Sequence, residues 1–137
     1  VEQLLTTEKK EFAFYAYIAG NQRPAPSKIR YYVQDSKLIR EIYHPTGTGP
    51  NYTYLTAPDT TVTIATGVIN TNDIFSYYSG DNYSYNNDSA TLLPFPISMA
   101  LVKMVRITLE VDLDTTKAPE ASHETTLVNL RNLKRNL

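Results

Sequence analysis

The sequence predicts an α+β fold, in which one N-terminal helix packs on antiparallel β-sheet. Residues 1–19 contain neither Pro nor Gly, and the apolar residues near one helical face are Val1, Leu4, Leu5, Phe12, Tyr15, Ala16 and Ala19. From residue 28 onward the patterns are typical of strands. A single helix followed only by strands indicates a helix segregated to one side of an antiparallel sheet.

The predicted helix ends near Gly20 and Asn21, which are residue types that commonly follow a helix. Pro24 and Pro26 then prevent its continuation. No N-cap signal precedes Val1, so the helical pattern begins inside a helix. We therefore expect that residues ahead of Val1 were removed.

Residues 28–44, "KIRYYVQDSKLIREIYH", predict a β-hairpin. Ile29, Tyr31 and Val33 alternate with polar residues, "DSK" supplies the turn, and a second apolar run follows. Short strands are also predicted within residues 52–56, 61–69 and 74–79.

The clearest strand pattern is "VRITLEVDL", which covers residues 105–113. Its apolar residues alternate strictly with polar ones, as in a half-buried antiparallel strand. A last strand is predicted in "HETTLVNLRNL". We expect the strand at residues 105–113 to pack on the N-terminal helix. The predicted structural core of this strand and the last one is Val105, Ile107, Leu109, Val111, Val128 and Leu130.

Length and composition indicate one domain without a cofactor. The chain has 137 residues, a net charge of −1 and no Cys. The absence of Cys excludes disulfides and zinc–thiolate sites, and the lack of a basic surplus argues against strong nucleic-acid binding.

One loop has the chemistry of a cation site. Residues 81–91 are polar and Asn-rich, and the oxygen-bearing side chains that could bind calcium are Asp81, Asn82, Asn86, Asn87 and Asp88. The spacing lacks the EF-hand pattern and an anchoring Glu. A solvated surface loop is the competing interpretation.

The other candidate residues do not assemble a catalytic pattern. His44 and His123 have no partner at metal-ligand spacing, so each is assigned a structural or solvent role. Asp112 and Asp114 have the spacing of a solvated strand end rather than of a glycosidase pair. The sequence therefore predicts no enzyme.

Four segments, in order, resemble minor pilins and minor pseudopilins of type IV pili and type II secretion systems. "IRYYVQDSKLIREI" is similar to the family's hairpin, and "GVINTNDIFSYYSGDN" to a strand and turn. "LVKMVRITLEVDLD" and "TTLVNLRNL" resemble its later strand and C-terminal ending. The resemblance covers most of residues 28–133.

The resemblance implies a single pilin-like head domain over residues 1–137. Residues 1–19 would be the amphipathic second half of the pilin helix, and residues 28–133 the β-rich head. The missing first half would anchor the subunit in the inner membrane of the bacterial envelope before its assembly into a periplasmic or extracellular filament. Its partners would be other minor and major pilins or pseudopilins, and its role the priming or capping of the filament.

A second function remains open from the residues themselves. A secreted β-rich module of the adhesin type could use the Tyr- and Asn-rich loops to bind glycans or surfaces. A pilin at a filament tip could also adhere, so the two functions are compatible.

Overall fold

The computed structural model describes residues 3–18, 25–79, 91–112, 116 and 122–129, and in the last range only the side chains of 124–126. The described chain is built almost entirely of antiparallel strands. The strands are β1 (Gln3–Thr7), β2 (Glu11–Ala16), β3 (Ser27–Gln34), β4 (Lys37–Tyr43), β5 (Pro45–Thr46), β6 (Thr53–Tyr54), β7 (Thr60–Thr66), β8 (Phe75–Ser79), β9 (Thr91–Leu92), β10 (Met104–Val111) and β11 (Ser122–Asn129). One 3-10 turn covers Met99–Leu101.

These strands form two larger sheets and one small one. The five-stranded sheet has the order β1-β2-β3-β4-β7, and the four-stranded sheet has the order β11-β10-β8-β9. β5 and β6 form a separate two-stranded ribbon. Consecutive strands from β1 to β4 are neighbours, so most of the five-stranded sheet is an antiparallel meander.

The predicted N-terminal helix is wrong, and with it the α+β pilin-like fold. Residues of that segment form β1 and β2, which pair antiparallel with Leu4 opposite Phe14 and Thr7 opposite Phe12. Thr, Phe and Tyr favour strands, and the charged residues 8–10 form the turn between the two strands. Side chains two apart, such as Phe12 and Phe14, therefore share a face, as the strand period requires.

The predicted hairpin at residues 28–44 is confirmed. β3 and β4 pair antiparallel, with Gln34 opposite Lys37 and Arg30 opposite Glu41. Asp35 and Ser36 form the turn with φ values of 49° and 53°. Two central residues with positive φ match the type I′ turn, whose twist fits the strands of a tight hairpin.

The predicted strand in residues 105–113 is observed as β10, although it does not pack on a helix. β10 pairs with β11 along its whole length and with β8 from Met104 to Ile107. Its side chain Val105 is 1% exposed and belongs to a core cluster that also contains Phe12 and Tyr77. Strands of both larger sheets thus take the place that the helix was expected to fill.

The side chain of Asn70 hydrogen-bonds to the main chain of β10. It lies between the stretch of β10 that pairs with β8 and the stretch that contacts residues 68–69. Asn70, 8% exposed, donates from Nδ2 to the carbonyl of Thr108 at 3.0 Å and accepts at Oδ1 from the amide of Glu110 at 2.9 Å. Beyond it the amide of Ile69 donates to the Glu110 carbonyl, and Val68 forms a bridge with Val111. The side-chain amide of Asn70 therefore takes the place of a peptide group in the hydrogen bonding of β10. It joins the segment after β7 to the four-stranded sheet.

Candidate functional site

The turn between β1 and β2 is hydrogen-bonded to both larger sheets and lies beside an open surface. The amide of Glu8 donates to the Glu11 carbonyl at 2.9 Å. The Lys9 carbonyl accepts from the amides of Ile74 and Phe75, each at 3.0 Å. The Lys10 carbonyl accepts from Val33 at 3.1 Å. Because both larger sheets hold this main chain, the side chains of the turn extend from a fixed base.

Tyr77 fixes the same turn from inside the core. Its side chain is 0% exposed, and its hydroxyl donates to the carbonyls of Glu8 at 2.9 Å and Glu11 at 3.3 Å. Its ring lies 6.0 Å from the ring of Phe12 and 6.0 Å from that of Phe95. Burial raises the pKa of the Tyr77 phenol well above its usual range, so this hydroxyl keeps the proton that it donates.

The turn forms one wall of a cleft of about 810 Å³, which we call the turn cleft. Its lining comes from the β1–β2 turn, the end of β3 and the segment before β8. The lining residues are Glu8, Lys9, Lys10, Glu11, Arg30, Tyr32, Val33, Gln34, Thr71, Asn72 and Asp73. The cleft is therefore lined mainly by polar and charged side chains.

Lys9 connects the two sides of the turn cleft. Its Nζ lies 3.2 Å from Asp73 Oδ1 and 5.3 Å from the centroid of the Phe95 ring. Both side chains of the ion pair are exposed by more than a third, so the pair contributes less than about 1 kcal/mol to stability. Its main effect is to orient Lys9 along the rim.

A charged network on the outer face of the five-stranded sheet reaches the turn cleft through Glu11, Arg30 and Tyr32, which line it. Arg30 donates from Nη1 to Glu41 Oε2 at 3.2 Å and from Nη2 to Glu11 Oε2 at 2.8 Å. Glu41 also accepts from the hydroxyls of Tyr32 at 2.9 Å and Tyr43 at 2.7 Å. The guanidinium carbon of Arg30 lies 4.2 Å from the centroid of the Tyr32 ring. Strand pairing thus brings five polar side chains from three strands into one network.

The network keeps Glu41 and Arg30 ionised. Burial acts to raise the pKa of Glu41, but hydrogen bonds from Tyr43, Tyr32 and Arg30 outweigh it and lower the pKa below its ordinary value. The hydrogen bond to Glu11 raises the pKa of Arg30 further. A carboxylate held ionised by three donors is poorly suited to act as a general acid, so Glu41 has the properties of a structural group.

The charges lining the turn cleft balance. Lys9, Lys10 and Arg30 are matched by three carboxylates, those of Glu8, Glu11 and Asp73. Such a surface has no strong field to attract a charged ligand. Its side-chain amides, carboxylates and guanidinium are groups that hydrogen-bond hydroxyls and peptide groups, so it fits a neutral polar ligand.

The residues of the predicted core differ in burial. Val105 is buried, Ile107 and Leu109 are half-buried against the core cluster, and Val111 is half-buried. The side chain of Val128 and all of Leu130 lie outside the described residues.

The calcium hypothesis for Asp81, Asn82, Asn86, Asn87 and Asp88 also falls outside the described residues and stays a prediction. Within the described part of the chain, no group of three or more His, Asp or Glu could hold a metal ion. His44 Nδ1 lies 2.8 Å from Ser27 Oγ, and the amide of His44 donates to Asp59. These are contacts between neighbouring strands and loops.

Part of the charged network could be predicted from the sequence. A two-residue turn at Asp35 and Ser36 places Arg30 opposite Glu41, and this pairing follows from counting back from the turn. The contribution of Glu11 was missed because residues 1–19 were assigned to a helix.

Across the described residues, the structure has no helix with the length and apolarity that a membrane crossing requires. Comparison with known proteins found no matching protein-family model, no similar curated protein and no similar solved structure.

Proposed function

We propose that this chain is the β-rich head of a structural subunit in a pilin- or pseudopilin-type filament, where it primes or caps assembly. One observation carries the proposal. Each of the four segments that resemble such subunits lies on described strands. The first segment forms most of the β3–β4 hairpin. The second and third contain β8 and β10, and the fourth contains the end of β11. β8, β10 and β11 are neighbours in the four-stranded sheet, whereas β3 and β4 are neighbours in the five-stranded sheet.

The proposal is revised where the fold differs from expectation. Residues 1–19 are no longer part of an assembly helix, because residues 3–16 hold β1 and β2. The resemblance itself covers most of residues 28–133, which lie outside the corrected segment. The proposal now requires an apolar helix encoded ahead of Val1, which would anchor the subunit in the inner membrane and pack against other pilins or pseudopilins.

A structural role also agrees with the chemistry of the site. The carboxylate of Glu41 is fully engaged by Arg30, Tyr32 and Tyr43. Lys9 is paired with Asp73. These groups stabilise the sheet and the turn rather than forming a nucleophile and base pair. We therefore propose a non-enzymatic protein.

Deletion of the gene in the bacterium that carries it tests this function. We expect fewer surface filaments or reduced secretion, with recovery when the intact gene is supplied in trans. Normal filament number together with normal secretion in the deletion strain would contradict the proposal.

The turn cleft favours a second candidate, a binding domain of the adhesin type. This function would rest on the cleft rather than on the Asn-rich loop, which lies outside the described residues. The balanced charges and fixed main chain of the cleft suit a neutral polar ligand such as a glycan.

Binding of the labelled domain to an array of glycans tests the second candidate. Lys10→Ala and Asn72→Ala change exposed cleft residues and should abolish any signal. Asn51→Ala is the matched control, since Asn51 is exposed and follows β5 at the other end of the β3–β4 hairpin. Equal binding by all variants, or none by the unmodified domain, would reject the cleft as a glycan site.

A further inference from the structure

β7 is an edge strand of the five-stranded sheet and carries no charged residue. It pairs with β4 on one side, and within the described part of the chain no strand pairs with its other side. Its sequence, "TTVTIAT", has no charged residue and no Pro. Five of its seven residues are exposed, including Ile64 at 47%. Sheet edges normally carry charges, Pro or irregularities that prevent pairing with another chain.

The other described edge strands of the two larger sheets are shorter than β7 or carry a charged residue. β1 has five residues, an irregularity between Leu4 and Thr6, and the charged residues 8–11 beside it. β9 has two residues. β11 presents an exposed Glu124. Among the described edge strands of the two larger sheets, β7 is therefore the longest without a charged residue.

We propose that β7 pairs antiparallel with β7 of a second copy of this chain around a two-fold axis. Such an axis places the same uncharged strand on both sides, so Thr faces Thr or Val and no like charges meet. Thr–Thr and β-branched cross-strand pairs are favourable. An isologous contact of this kind closes at two copies and does not propagate.

The register of β7 limits the extent of this pairing. Thr60 to Thr63 oppose Ile42 to Ile39 in regular order, whereas Ala65 opposes Leu38, so Ile64 is an extra residue on β7. A bulge bends a strand and interrupts its ladder. The paired segment is therefore residues 60–63, with the exposed Ile64 packing against the partner. A segment this short gives a weak, reversible dimer.

Sedimentation velocity over a series from micromolar to millimolar chain tests the proposal. A concentration-dependent dimer is expected, with little response to salt because no charges take part. Thr61→Lys and Thr63→Lys, which place like charges across the axis, should each weaken it by roughly tenfold or more, equivalent to about 1.4 kcal/mol. Thr53→Lys on β6 is the matched control and should leave the dimer unchanged. Thermal unfolding checks that each variant remains folded.

Cysteine cross-linking supplies an independent measurement, because the chain contains no Cys. Single replacements of residues 60–63 by Cys should yield a disulfide-linked dimer at the position nearest the axis, where paired Cα atoms are within disulfide range. Thr53→Cys should form no disulfide-linked dimer. A chain that stays monomeric at every concentration, or a dimer that both Lys variants leave intact, overturns the proposal.

Discussion

Arg30 on β3 donates to Glu41 on β4 at 3.2 Å, and the two residues are direct partners in the sheet register. The same guanidinium reaches Glu11 on β2, so one side chain connects three consecutive strands. Glu41 is 8% exposed although it lies on the outer face of the sheet. Tyr32 and Tyr43 cover this carboxylate and donate hydrogen bonds to it. The stability of this face of the sheet therefore depends on the ionisation of Glu41.

Replacing Glu41 should lower stability and alter its dependence on pH. The folded-state pKa of Glu41 lies below its ordinary value of about 4.5. Its contribution is therefore fully present above that pH and is lost as the pH falls through the lower folded-state value. Glu41→Gln should cost about 1–3 kcal/mol at neutral pH, because donors lose a charged acceptor.

Chemical denaturation at a series of acidic pH values measures this effect. The Glu41→Gln chain should lose less stability on acidification than the unmodified chain. Glu124→Gln, at an exposed position on β11, is the control and should follow the unmodified profile. Identical acid profiles for Glu41→Gln and the unmodified chain would show that the network does not titrate as described.

Removing the hydroxyl of Tyr77 should loosen the β1–β2 turn without emptying the core. Tyr77→Phe keeps the ring but leaves the carbonyls of Glu8 and Glu11 without this donor, at a cost of about 1–3 kcal/mol. Faster hydrogen exchange at the amides of Ile74 and Phe75, which donate to Lys9, is expected. Tyr17→Phe changes a 54% exposed residue and serves as the control. Unchanged exchange at both amides would contradict the anchoring role.

Truncating Asn70 should weaken the connection between β7 and the four-stranded sheet. Asn70→Ala removes both hydrogen bonds to β10, and we expect a loss of about 1–3 kcal/mol in the free energy of unfolding. Asn72→Ala, two residues away and exposed, should change stability little. Equal unfolding free energies for the two variants would show that the Asn70 amide is dispensable.

Burial along β10 predicts a graded response to truncation. Val105 is 1% exposed and Val111 is half-buried on the same strand. Val105→Ala should cost about 2 kcal/mol from the two buried methyl groups, and Val111→Ala clearly less. Thermal and chemical unfolding compare them. A larger loss for Val111→Ala would place the core at the other end of the strand.

The hairpin and β10 could be predicted because each has a clear local period. Residues 28–44 combine alternation with a tight turn, and β10 alternates from Val105 to Val111. In the hairpin the turn also fixes the strand partner, so the pairing of Arg30 with Glu41 was accessible from the sequence.

The N-terminal segment could not be assigned from its sequence because its apolar residues satisfy two periods. Leu4, Phe12 and Tyr15 fit a helical face, while Phe12 and Phe14 also fit one face of a strand. The contacts that favour the strand over the helix join residues far apart in the sequence. The ring centroid of Phe12, for example, lies 5.8 Å from that of Phe75. Because the turn cleft depends on these contacts, it could not be predicted either.

Determination of the gene sequence ahead of the codon for Val1 tests the proposed filament function most directly. If the chain is a pilin-type subunit, we expect a short leader ending in Gly, then about 20 mainly apolar residues that continue in frame to Val1. An in-frame start codon immediately ahead of Val1, or an upstream region without an apolar segment of that length, would contradict it.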